Sequence, residues 1–103
     1  MKLKFRNKTY TFVRKHNIQI DAKKLNVVGR EGKVQLDGFA EHPSVKNKKI
    51  VVDKSLTGEK ELEIILHEFQ HCCFPDLSEE AIDQASADMA KALYSRLGYR
   101  KSE

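Results

Sequence analysis

The sequence predicts an α+β fold, a small antiparallel sheet followed by two helices in a single domain spanning residues 1–103. Three observations predict it. The hydrophobic pattern is short and strand-like up to about Asp53, then takes a helical period from Thr57 onward. A chain of 103 residues supports one modest core. The composition, 40% apolar and 33% charged, is that of a chain that folds in water, not of a disordered one. No run approaches the ~20 apolar residues of a membrane span. The basic start "MKLKFRNKTYTF" carries no long apolar stretch, so no secretory signal is expected. The expectation is a cytoplasmic protein with no membrane partner.

The first element is a hairpin. In "LKFRNKTYTFVR", Leu3 and Phe5 and then Tyr10 and Phe12 alternate with polar residues about Asn7–Lys8. Gly29, Gly32 and Gly38 then punctuate short strands around Val27 and Val34–Leu36. "KKIVVDK" supplies a β-branched strand at Ile50–Asp53. The first helix follows, with Leu62, Ile65, Leu66, Phe69, Cys72 and Cys73 on one face. Thr57 or Ser55 can cap it, Glu59, Glu61 and Glu63 suit the positive end of its dipole, and Pro75 ends it near Phe74. Asp76 is expected to cap the second helix, with Glu79 three residues on in a capping box. The buried stripe of that helix is expected at Ile82, Ala85, Met89, Leu93 and Leu97, and Gly98 stops it.

Charge is unevenly spread. Residues 1–57 hold 14 Lys/Arg and 5 Asp/Glu, a balance of +9, whereas residues 58–103 hold 5 and 10, a balance of −5. A basic half can serve a nucleic-acid partner. It can equally be a lysine coat that keeps a sheet in solution and blunts its edges. No recognition-helix pattern or aromatic platform accompanies the charge, which favours the second reading. Cys72 and Cys73 are adjacent and point about 100° apart on a helix, so they are expected to stay reduced and to pack, not to bridge.

The chemistry concentrates in "ILHEFQHCCFPDLSEEA", residues 65–81. His67 and His71 lie four apart on the first helix, which puts both imidazoles on one face, one turn apart. Two nitrogens so placed can reach one metal ion at ~2.0–2.1 Å. Glu68 sits about 100° round from His67, beside such a metal and not on it, where it can take a proton from a bound water. His67-Glu68-x-x-His71 thus offers two ligands and a general base. A shuffled chain of this composition shows the pattern roughly once in a hundred, so the motif needs its context. That context is a segment of helical period, an apolar "IIL" before the first histidine, and an acidic cluster after a proline turn.

With these residues in view, "IVVDKSLTGEKELEIILHEFQH" resembles the zincin metallopeptidases: an edge strand, a short connection, then the active-site helix. The absence of a histidine downstream, and Leu77 where another branch carries Asp, leave the gluzincin arrangement, in which the next helix supplies a glutamate. "EEAIDQASADMA" resembles the third-ligand helix of thermolysin-like and ImmA/IrrE-type enzymes, and "DLSEEAIDQASADMAKALYSRLGYR" resembles small phage-encoded metallopeptidases. The resemblance covers residues 48–100. It implies a minimal zincin-like domain holding Zn2+ through His67, His71 and a glutamate. Glu80 is the choice for that glutamate, because Glu80-Ala81 keeps the family's Glu-Ala step. Glu79 is the alternative, because it lies nearer the apolar stripe. Asp83 is a third candidate for the ligand, although an Asp at this spacing more often orients a ligand histidine, a role that Asp88 could share.

Smaller expectations attach to other residues. His42, before Pro43, could help stabilise an oxyanion, although a solvated loop position is the simpler reading. His16 is expected at the surface. Tyr94 and Tyr99 could reach a substrate carbonyl, with core packing the simpler role. The expected function is therefore a zinc-dependent peptidase acting on peptide or protein, with Glu68 as general base and the strand Ile50–Asp53 binding substrate in extended form. The rival expectations are a metal-stapled interaction module that cuts nothing, and a nucleic-acid-associated protein that uses its basic first half.

Overall fold

The structure is a computed structural model that describes residues 1–21 and 33–102. Val27, Gly29 and Gly32 lie outside the described residues. The chain forms β1 (Lys2–Phe5), β2 (Lys8–Lys15), β3 (Gln19–Asp21), β4 (Lys33–Gln35), β5 (Gly38–Ala40) and β6 (Lys49–Asp53), then α1 (Gly58–Cys73) and α2 (Glu79–Ala90). It is a small α+β domain, as the sequence predicts. Among the described residues no helix is long and apolar enough to cross a membrane.

The hairpin turns on Arg6 and Asn7, both with positive φ (50° and 66°). That is one residue earlier than the sequence suggests. A two-residue loop that matches strand twist requires both central residues in the left-handed region, and Asn tolerates it well. Leu3 pairs with Tyr10 and Phe5 with Lys8.

The sheet differs from expectation in one respect. Its order is β1-β2-β6-β5, and β2 runs parallel to β6, with Phe12 opposite Ile50, so the sheet is mixed and not antiparallel. A parallel pair requires a long crossover, and the chain between Lys15 and Lys49 supplies it, carrying the separate β3–β4 pair and β5 on the way. β6 therefore sits inside the sheet. Ile50, Val51, Val52 and Asp53 are all buried.

The core lies between this sheet and α1. Tyr10, Phe12, Ile50, Val52 and Cys72 form its centre, and Leu3, Phe5, Ile64, Ile65 and Phe69 pack against it. The Phe69 ring stands 4.8 Å from that of Phe5 and 6.3 Å from that of Phe12. Cys72 is a packing residue, and both cysteines are free thiols. Burial pushes its thiol up to about 11, and burial followed by the neighbouring thiol pushes the Tyr10 phenol up to about 12.

Thr57 occupies the N-cap of α1 without a side-chain bond, and Ser55 is engaged elsewhere, its N–H and hydroxyl donating to Asp53 Oδ1 at 2.8 and 2.7 Å. Those two bonds hold the Asp53 carboxyl below its ordinary range. α1 ends at Phe74, and Arg6 Nη1 donates to the Cys73 carbonyl at 2.7 Å, tying the hairpin turn to the helix end.

The cap of α2 is Ser78, whose hydroxyl accepts the Ala81 N–H at 3.1 Å; Asp76 is not the cap. A turn closed from the Leu77 N–H to the Phe74 carbonyl takes up Asp76 and delays the helix by two residues. The buried side of α2 is Ile82, Ser86 and Ala90, not the larger stripe the sequence suggests. Met89 and Leu97 are 45% and 68% exposed, while Ala85 and Leu93 are half-buried. The rotation follows from a polar tie: Gln70 Nε2 donates to Ser86 Oγ at 2.8 Å and to the Leu66 carbonyl at 3.2 Å, clamping α1 to α2. After Ala90 the helix widens to a π-helical stretch at Lys91–Arg96 and closes at Gly98, whose φ is +76°.

Candidate metal centre

The Gln70–Ser86 tie sets the faces that α1 and α2 present to each other. His67 and His71, four apart on α1, face Glu79 and Asp83, four apart on α2. The Nε2 atoms of the two histidines stand 3.0 Å apart. Glu79 meets both, its Oε1 2.7 Å from His67 Nε2 and its Oε2 3.1 Å from His71 Nε2. Behind them, Asp83 Oδ1 lies 3.0 Å from His67 Nδ1. With an ion held in the cluster, donation of the Nδ1 hydrogen to Asp83 would leave the His67 Nε2 lone pair to bind it.

His67, His71 and Glu79 place one ligand atom each within 4.8 Å of the others. In a zinc tetrahedron with bonds of ~2.0–2.1 Å, ligand atoms sit about 3.3 Å apart. The two imidazole nitrogens, 3.0 Å apart, are slightly closer than that, and the full set with one Glu79 oxygen lies within 4.8 Å. Two imidazole nitrogens and one carboxylate are a donor set that suits zinc. The histidines are largely sheltered, with side chains 13% and 26% exposed, while Glu79 reaches in from an exposed position at 63%.

The carboxylate that joins the histidines is thus Glu79. Glu80, the sequence's first choice, is exposed and lies about 100° round α2, away from the pair. The reason is the Ser78 cap. With Asp76 outside the helix, Glu79 becomes the first helical residue, free of a capping box, and shares a face with Asp83. The helical-angle argument for Glu79 therefore describes the geometry, whereas the Glu-Ala step does not. Asp88, also exposed, is not brought to the histidines.

Glu68 is 5% exposed on the same helix. Its carboxyl is pushed up to about 8, by burial first and then by the negative charges of Glu79 and Asp83. β5 walls it on one side. A Cβ built on Gly38 would lie 3.3 Å from Glu68 Oε2, 3.0 Å from Ile64 Cγ2 and 2.9 Å from the Val51 carbonyl oxygen. Gly38 is therefore a close-approach position, which its sequence reading as turn punctuation missed; a glycine at the start of a short strand was the available signal.

The histidines, Glu68 and Glu79 open into a cleft of about 480 Å³, bounded across from α1 by Gly38–Pro43. The strand beside this cleft is β5. Ile50–Asp53, expected as the substrate-binding edge, is paired on both sides and has no edge to offer. β5 does. Phe39 pairs with Val51, Asp53 N–H donates to the Asp37 carbonyl and Glu41 N–H donates to the Lys49 carbonyl. By antiparallel alternation the backbone groups of Gly38 and Ala40 then point away from β6, and among the described residues no strand pairs with them.

The remaining candidates are dispersed. His42 is exposed in the loop after β5 and lines the cleft; His16 is exposed and elsewhere. Tyr94 and Tyr99 are not core residues. They line a separate cavity with Arg14, Glu61 and Lys101, and Tyr99 is 64% exposed.

Comparison with known protein families, with curated proteins and with solved structures finds no match to this chain.

Proposed function

We propose that this domain is a zinc-dependent peptidase, with His67, His71 and Glu79 as metal ligands and Glu68 as general base. The observation that carries the reading is Glu68 itself, a buried carboxyl beside three converging donor groups and not among them. A site that only staples two helices has no use for such a group. Zinc held by this set would supply Lewis acidity and lower the pKa of a bound water.

The chain's own residues divide the remaining work. Glu68, buried beside the donor set, would be favoured as the carboxylate by a cation held there, and is placed to accept a proton from water and return it to the leaving amine. Asp83 holds the His67 ring in one orientation through Nδ1. The open backbone of Gly38 and Ala40 can pair with an extended peptide laid along the cleft. The absence of a side chain at Gly38 lets that strand approach Glu68 closely.

The test is Glu68→Gln, with cleavage measured by profiling a peptide library against both proteins. The expected result is full zinc uptake with hydrolysis abolished. Loss of zinc would make Glu68 a ligand and overturn the assignment of roles. Equal zinc uptake with no cleavage by either protein would favour the stapled interaction module, which the bridging of α1 and α2 by one ligand set also permits.

A further inference from the structure

A peptidase cleft of this kind needs a hydrogen-bond donor for the carbonyl oxygen that gains negative charge. Most side chains that line this one cannot donate. Glu41 already accepts the Lys49 N–H at 2.8 Å, Glu79 is assigned to the metal and Glu68 to the proton transfer, so none of the three acids is free for this task. Apart from the histidines of the metal set, His42 is the one side chain among the described residues lining the cleft that carries an N–H.

The loop fixes which nitrogen of His42 carries it. Nδ1 accepts the backbone N–H of Ser44 at 3.1 Å and lies 2.8 Å from Ser44 Oγ. A backbone amide only donates, so Nδ1 holds the lone pair and the ring hydrogen of this tautomer sits on Nε2. Pro43 between the two residues restricts the loop that makes this contact. The ring itself is exposed, leaving Nε2–H available at the cleft.

We propose that His42 is a substrate-contacting residue that offers Nε2–H to the scissile carbonyl oxygen. The proposal rests on the peptidase reading above. It assigns to the loop after β5 a catalytic role beyond bounding the cleft. A neutral donor preorganised by its own loop suits an oxygen whose charge appears only during the reaction.

The experiment uses the full chain loaded with zinc, as wild type, His42→Ala and His42→Gln. Zinc uptake is measured first by titration. Two probes follow: a phosphinic pseudopeptide, whose tetrahedral phosphinate imitates the charged oxygen, and acetohydroxamate, which grips a metal without that imitation. The expected result is equal zinc uptake in all three proteins and unchanged acetohydroxamate affinity. Phosphinate affinity should fall at least tenfold in His42→Ala and recover in part in His42→Gln, which keeps an N–H. Nitrogen-15 spectra of the wild type should show the Nε2–H tautomer at His42. Full zinc uptake with no phosphinate binding by the wild type, undiminished phosphinate affinity in His42→Ala, or an Nδ1–H tautomer overturns the proposal and leaves the peptidase reading standing. Failure of the wild type to take up zinc overturns the reading, and the proposal with it.

Discussion

Replacing Glu68 by Gln in the metal-free protein is expected to stabilise it progressively as pH rises. Glu68 is 5% exposed, and its carboxyl is pushed from 4.5 up to about 8 by burial and by the charges of Glu79 and Asp83. An acid raised on folding keeps its proton longer in the folded state. Between those two values the folded chain binds more protons than the unfolded one, so stability falls as pH rises, by up to about 1.4 kcal/mol per pH unit. From about pH 5.5 to about pH 7.5 the loss is on the order of 2–3 kcal/mol, or roughly 10–20 °C of melting temperature for a domain of this size. Gln does not ionise, so the variant lacks this slope. Thermal melts of both proteins in chelator across the window give a difference curve that isolates Glu68 from His67, His71 and Glu79, which the two share. Adding zinc should flatten the difference, since a nearby cation favours the carboxylate. Parallel melting curves for the two metal-free proteins would refute the burial argument.

Gly38→Ala should destabilise the fold, because the new Cβ would stand 2.9 Å from the Val51 carbonyl oxygen, which belongs to the backbone of the central strand and cannot easily yield. Overpacking of this kind costs about 1–3 kcal/mol, visible in urea melts; stability equal to wild type would contradict the close approach of β5. Ser78→Ala should lose about 1 kcal/mol as the α2 cap goes, and Asp76→Ala much less, a ranking that paired thermal melts would reverse if Asp76 were the cap after all. In zinc titrations with parallel melts, Glu79→Gln should lose most of its affinity and most of the zinc-induced rise in melting temperature, whereas Glu80→Gln should keep both. The opposite ranking would return the third ligand to Glu80.

The elements governed by local periodicity are legible in the sequence. Alternation of Leu3, Phe5, Tyr10 and Phe12 marks a hairpin whose apolar residues all meet the core. The helical period and Pro75 mark α1 and its end. What depends on pairing between distant segments is not legible. A run such as "KIVVD" states that it is a buried strand but not that it lies parallel to β2, since that register is settled by the crossover between them. The same limit hides the edge role of β5, only three residues long. The candidate site is legible where one helix presents its residues, as with the shared face of His67 and His71. It becomes ambiguous where a second helix must be rotated against the first. There one residue is worth about 100°, and the choice between Glu79 and Glu80 turns on whether Asp76 or Ser78 starts α2. Ser86 explains the rest of the discrepancy. A serine reads as a surface residue, yet here it is fully buried, bonded to Gln70, and turns Met89 outward.

The central claim is that His67, His71 and Glu79 together hold one zinc ion while Glu68 stands beside it. Diffraction from zinc-grown crystals, recorded on both sides of the zinc absorption edge, measures this most directly. The expected result is a single anomalous peak ~2.0–2.1 Å from both Nε2 atoms and from a Glu79 carboxylate oxygen, with Glu68 outside bonding distance. No peak between α1 and α2, or a peak ligated by Glu68 or Glu80 in place of Glu79, would contradict it.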